Sequence, residues 1–345
     1  MQGSPDGDHT FLTGFRYIPQ LNYQVKMRKD RLFDLEVSVN LDAEAGFRCY
    51  DQADGDVDIA PYRMWVRYST RQFELRAGLQ KINFGSATYL RPLSWFDQMD
   101  PRDPLLLTKG VWGVLGRYYF LNNSNLWLWV LYGNEKTKTW EIAPTSLCYP
   151  EAGARFQQSL PKGETALSYH FRVADASEFE DSLHFPDRVP EHRIGLDGKW
   201  DVGVGLWFES AWITKTRDIG VLSNQFYLTA GCDYTFRVGN GLNVILEQMV
   251  ASFDRKPFLF TQPSFFTAFS ASYPLSLFDN LGVIMYYDWT NRGLYNFVTW
   301  SRQFSEFSLY VMGYWNPRHS YLPQMGEPGQ EFAGKGIRIM AVIDK

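Results

Sequence analysis

Long apolar runs are missing from this chain of 345 residues. Nothing in it approaches the roughly 18–20 consecutive apolar residues that a membrane-spanning helix needs. Blocks of like charge are missing too: 34 basic and 38 acidic residues are interspersed, for a net charge of -4. That pattern carries no nucleic-acid signature. Cysteine is scarce, with three residues whose spacing matches no metal site. Cys49 and Cys148 fall in expected loops on one side, where either a disulfide or two free thiols would fit, while Cys232 sits on an apolar strand face. No linker or low-complexity tract divides the chain, so residues 1–345 read as one domain with a flexible lead at 1–10. That lead, MQGSPDGDHT, has no apolar signal core. An exported protein would need one, so the expectation is a signal peptide removed from, or left out of, this numbering. No nucleophile motif or phosphate loop is present, and nothing calls for a cofactor.

Aromatic residues, by contrast, are abundant: 12 Trp, 20 Tyr and 26 Phe make 17% of the chain, alongside 21% charged residues. The chain is nevertheless hydrophilic on average. An aromatic-rich, mean-hydrophilic sequence with strand patterning fits a transmembrane β-barrel, apolar outside and polar inside.

The patterning is period 2 almost throughout. In 31–42, Phe33, Leu35, Val37, Val39 and Leu41 alternate with Asp34, Glu36, Ser38, Asn40 and Asp42. About seventeen such segments can be marked between residues 13 and 344, most of them roughly the length a tilted membrane strand requires. Connections alternate between very short and long, the long ones being 49–58, 84–107, 136–150, 175–190, 215–223, 253–263 and 317–334. Bacterial barrels have this asymmetry. The fold class expected is all-β, an antiparallel transmembrane barrel of about 16–18 strands. An even closed barrel asks for one more strand before residue 11, unless one segment is split. Aromatics at strand ends, including Trp112, Tyr118, Trp127, Trp129, Trp200, Trp212, Trp289, Tyr314 and Trp315, are expected to form the interfacial girdles.

The stretch from Gly78 to Gly110 stands apart. It leaves a strand, breaks at Gly85, and runs through Pro92, Pro101 and Pro104 before the next strand. A long loop with this much stiffening is expected to be functional. Folded into the lumen, 84–107 would form a constriction, with Arg91, Asp97, Asp100, Arg102 and Asp103 meeting wall charges. Lying over the barrel mouth is the alternative.

The polar strand faces supply the wall. Arg63, Arg67, Arg76, Arg117 and Arg172 would form a basic side favouring anions, across from Asp34, Glu36 and Glu247. The plainer reading is a network of ion pairs that holds the wall, with Arg63 and Arg67 opposite Glu74, and Arg193 with Asp197 and Glu209. His170 shares the polar face with Ser168 but reads as a lumen residue, not a catalytic one.

Arg76-Ala-Gly78-Leu-Gln80-Lys-Ile82-Asn-Phe84-Gly85, followed by Asp100-Pro-Arg102-Asp103-Pro104, resembles bacterial outer-membrane barrels related to alginate-export-type porins. The match covers about 45 residues. The resemblance implies a monomeric barrel with a loop packed against the lumen; it brings no substrate with it. The functional expectation is a porin-like outer-membrane channel for small polar or anionic solutes, surrounded by outer-membrane lipids, with no enzymatic activity. The alternative is a non-conducting barrel with a protein partner in a larger outer-membrane complex. A soluble all-β binding protein comes third.

Overall fold

The computed structural model describes residues 11–27, 30–48, 51–96, 99–177, 188–317 and 332–343. Eighteen strand segments appear in chain order: β1 (Phe11–Tyr17), β2 (Gln20–Met27), β3 (Arg31–Arg48), β4 (Asp51–Ser69), β5 (Phe73–Gln80) and β6 (Val111–Tyr119). They continue as β7 (Asn125–Leu131), β8 (Glu151–Leu160), β9 (Gly163–Asp175), β10 (Arg188–Asp201), β11 (Gly205–Lys215) and β12 (Asn224–Phe236). The last six are β13 (Leu242–Asp254), β14 (Ser264–Pro274), β15 (Asp279–Asp288), β16 (Gly293–Gln303), β17 (Ser308–Trp315) and β18 (Lys335–Val342). A 3-10 turn spans Gly220–Ser223, and no helix among the described residues is long and apolar enough to cross a membrane.

From β2 to β18 each strand pairs antiparallel with the next. β1 and β2 both lie along β3, at Leu41–Phe47 and Arg31–Ser38 respectively, so they are two halves of one ribbon. The break falls at Ile18-Pro19, where proline offers no N–H to a ladder. One of the period-2 segments marked in the sequence, about 13–27, is therefore two strands. No pairing joins β18 to β1 or β2 among the described residues, so the sheet is curled and not sealed there.

Two features differ from expectation. The 49–58 connection is largely strand, because β3 and β4 continue to 18 and 19 residues. Their pairing runs on to Phe47 against Ala53 and, past a register shift, to Arg48 against Asp51. The alternation of short and long connections therefore fails between β3 and β4, and it fails again where β15 and β16 are joined at 289–292 by a tight turn, in which Asp288 accepts the N–H groups of Thr290 and Asn291 at 2.9 and 3.1 Å. Residues 1–10 and Cys49 lie outside the described residues; Cys148 is exposed.

Burial is inverted relative to a soluble protein. In β9, Leu167 and Tyr169 are exposed, while Ser168, His170 and Arg172 between them are buried. In β13, Leu246 is 45% exposed beside Glu247 at 0%. Charges taken from water must be paired or hydrogen-bonded, and the inner face is built to do that. The outer face has no such requirement and is apolar, as lipid contact demands. The same parity corrects the girdle. Trp127 and Trp129 alternate with outward Leu128 and Val130, so both Trp face inward. Tyr314 likewise packs inward, against Phe332.

Candidate functional site: the interior segment and the charged wall

β5 ends at Gln80, and the following segment is buried within the curl of the sheet. Ile82, Phe84, Leu90, Leu93, Trp95 and Phe96 join one apolar cluster with residues of β6, β7, β11–β14 and β15–β17. The segment has no strand partner, so its backbone N–H groups need other acceptors. Two wall carboxyls provide them. Glu247 of β13 accepts from Thr88, Tyr89 and Leu90 at 2.6, 3.0 and 2.7 Å, and from the Trp207 indole at 3.0 Å. Glu209 of β11 accepts from Ala87 at 2.9 Å and from Leu93. Gly85, at φ +102°, is where the chain presses against Glu209; a Cβ there would run into the carboxyl group. Gly195 on β10 leaves room in the same way for Leu93 and Trp95.

Aromatic packing fixes the start of the segment. Phe84 stacks on Trp129 at 5.7 Å and meets Trp95 and Phe96 edge-on at 5.6 and 5.9 Å. Trp129 donates to His170 Nδ1 at 3.1 Å, and His170 Nε2 lies 3.1 Å from Glu151. His170 is thus tied into a structural chain. Ser168 accepts from Arg155 at 3.0 Å. Tyr89 donates to Ser270 at 2.7 Å, and burial raises its phenol above the ordinary value, keeping it a neutral donor.

Farther along, Arg102 closes on Asp100 at 2.7 Å inside the segment itself. Its guanidinium lies over Phe297 of β16 and over Phe332, 5.6 and 4.7 Å from their ring centres. Asp103 accepts the N–H of Leu105 at 3.0 Å and acts electrostatically on Arg16 of β1. Arg91 reaches Asn83 and the Phe84 carbonyl, and it acts on the Glu209 charge. Interaction with wall charges therefore comes from Arg91 and Asp103, whereas Asp100 and Arg102 pair with each other and Arg102 meets the wall through the Phe297 ring. Asp97 lies outside the described residues.

The expected basic side divides in two. Arg67, Arg76 and Arg117 surround Glu74 at 3.6, 3.1 and 3.6 Å, and Arg67 Nε also donates to Asp34 at 2.9 Å. Aromatic faces carry the surplus charge, with Arg117 over Trp127 at 3.8 Å and Arg76 over Trp65 at 4.7 Å. These three arginine side chains keep 14–26% of their surface open. Arg63 does not meet Glu74; it donates to Thr108 at 2.7 Å and lies over Tyr62. Glu36 faces Trp65 in register.

Arg172 belongs to a different, closed cluster. It pairs with Glu191 at 2.8 Å and Glu141 at 3.4 Å; Arg193 pairs with the same two acids at 2.7 and 3.0 Å. Lys138 bridges Glu141 and Glu151, and Lys215 reaches Glu191 at 3.5 Å. Asp197 is held by Arg155 at 2.6 Å, not by Arg193. Glu209 is turned to the interior segment. Arg193 is engaged elsewhere because the connection between β7 and β8 drops inward and brings Lys138 and Glu141 to the wall, while Glu209 is taken by Ala87 and Leu93 of the other interior segment. Burial works to raise the Glu141 carboxyl, but Arg172, Lys138 and Arg193 outweigh it and hold it below its ordinary value. Trp140 of the same connection donates to the Arg91 carbonyl at 2.9 Å and packs on Tyr227 at 4.2 Å, joining the two interior segments. Sequence reasoning gave no special weight to Glu141, Trp140 or Glu151; only the tryptophan in a loop signalled a buried contact.

No protein-family model matches the chain, and no curated protein matches it. Solved structures do. Pseudomonas aeruginosa OccK7 (OpdD) superposes with TM-score 0.52 at 11% identity, covering 88% of each chain. Acinetobacter baumannii OccAB1 gives 0.51 at 9% identity over 99% of this chain and 98% of its own. OccAB4 of the same organism gives 0.50 at 10% identity over 87% and 85%. At such low identity these likenesses speak for the fold and leave the alginate-export resemblance resting on its motif. With the strand-only architecture and the inverted burial, they identify an all-β, porin-type fold of the kind found in the bacterial outer membrane.

Proposed function

We propose that the chain is an outer-membrane channel for small polar solutes that favours anions, with its path along the β4–β6 wall and its width limited by the segment at 81–110. The observation that carries this reading is the arginine triad around Glu74, three cations on one shared acid, partly open to the interior. Asp34 offsets one of them, so the patch keeps a positive surplus that would raise the local concentration of anions. On the β8–β13 side the two interior segments dock through Glu209, Glu247 and the Glu141 network. The alginate-export resemblance supports an inward segment, but the triad suits a small anion better than a long polymer, because the arginines are confined to one patch.

The test is the reversal potential in planar bilayers under a salt gradient. The wild type is expected to favour anions, and Arg67→Ser with Arg76→Ser to lower the anion-to-cation permeability ratio several-fold, more at low salt, where screening is weak. An unchanged ratio would sink the reading. Well-folded protein without conductance would favour the second reading, a barrel closed by its own segments that serves a protein partner. The buried Glu141–Arg172–Glu191–Arg193 network speaks for that alternative.

A further inference from the structure

The connection between β13 and β14 has a conformation that the channel reading does not use. Phe258 and Phe260 both adopt left-handed backbone geometry, φ 57° and 52°, which bulky residues rarely do. Asp254 holds the turn by accepting the N–H groups of Phe260 and Thr261, each at 3.1 Å. The result is a tip whose side chains lie on the outer face. Phe258 meets Trp212 at 4.9 Å, and Phe260 meets Phe226 at 5.2 Å. Trp212 and Phe226 pair across β11 and β12 and alternate with inward Ile213 and Tyr227. Phe258, Leu259 and Phe260 nevertheless remain 54%, 56% and 40% exposed.

Immediately before this tip, an open depression of ≈ 470 Å³ is lined by Arg217, Asp218, Asn224, Arg255 and Lys256, with Lys215 at its floor. Lys215 is spent on Glu191, Gln225 and the Leu222 carbonyl. Asp218 and Arg255 neutralise each other. Arg217 and Lys256 are exposed and make no ion pair among the described residues. Two cations thus stand beside an apolar aromatic tip, at the end of the barrel that carries the long connections.

We propose that this rim is a binding site for the phosphate headgroup of an outer-leaflet lipid. Arg217 and Lys256 would take the phosphate, while Phe258, Leu259 and Phe260 would enter the acyl boundary next to the Trp212 girdle position. A soluble anion would explain the cations. It would not explain apolar rings held outward in a costly backbone geometry, and a lipid explains both.

The experiment is native mass spectrometry of the full chain from detergent supplemented with diphosphoryl lipid A or its dephosphorylated form. The wild type should retain the diphosphoryl lipid and release it as salt rises. Arg217→Ser with Lys256→Ser should weaken retention roughly 30-fold, at about a fivefold factor per cation. Phe258→Ser with Phe260→Ser should weaken it with both cations intact. Heat-dependent gel migration checks that each variant is folded; if one is not, the wild-type comparison of the two lipids still decides. Equal retention of both lipids overturns the proposal, as does retention of neither. So does displacement by millimolar inorganic phosphate without any effect of the two phenylalanines, which would mark a soluble-anion site.

Discussion

Glu247 shows how much one side chain can hold. Three consecutive backbone N–H groups and one indole N–H converge on its carboxyl, and none has another acceptor in sight. Replacing it by Ala would leave several buried donors unsatisfied, at about 1–3 kcal/mol each. Their sum is enough to turn a rarely undocked segment into a mostly undocked one. Glu247→Ala is therefore expected to give larger, noisier single-channel conductance and faster protease cleavage within 84–107, in a barrel that still folds. Glu209→Ala should do the same through Ala87 and Leu93. Because both acids hold one segment, the double variant should cost less than the two single costs added together. Additive effects would mean the two acids hold independent parts of the segment; conductance unchanged in both would mean the segment does not bound the path. Glu247 was visible in the sequence as an inward acid. Its role was not, since nothing in a strand's alternation tells which backbone will arrive from a loop far along the chain.

At the scale of elements, the ribbons were legible and the connections were not. Period-2 alternation placed nearly every strand, because a barrel wall has two environments and each residue must suit one. The exceptions have local causes. Pro19 divides the first ribbon, and the Asp-rich stretch at 49–58 reads as a loop although β3 and β4 stay paired through most of it. The β7–β8 connection misled most, because its Lys138, Trp140 and Glu141 make long-range contacts that periodicity cannot report. Its docking depends on Glu141 being ionised. The carboxyl is held below its ordinary value of 4.5, so that part of the docking energy is fully present above about pH 4.5 and lost as pH falls through the lower, folded value. Acidification below the ordinary value of 4.5 is expected to release 132–150, seen as new proteolytic cleavage there or as a conductance step. Glu141→Gln should show the released behaviour already at neutral pH, because Arg172 and Arg193 then lose a partner. Cleavage with the same pH dependence in the variant would remove Glu141 from the explanation.

For the molecule as a whole, the decisive contrast is between neighbours in one strand. Leu246 and Glu247 are adjacent, yet the leucine is 45% exposed and the glutamate 0%. In a water-soluble protein an exposed leucine can become arginine within about 0.5 kcal/mol. On a lipid-facing strand the same change costs about 2–4 kcal/mol near the bilayer midplane. Leu277 provides the internal control: it is 95% exposed but lies in the turn between β14 and β15, outside any strand. In denaturant titrations of protein folded into phospholipid vesicles, Leu246→Arg is expected to lose about 2–4 kcal/mol and Leu277→Arg close to nothing. Equal, small losses at both positions would mean that water, not lipid, meets the apolar face. The inner charges would then need a different enclosure from the one that makes a channel of this fold.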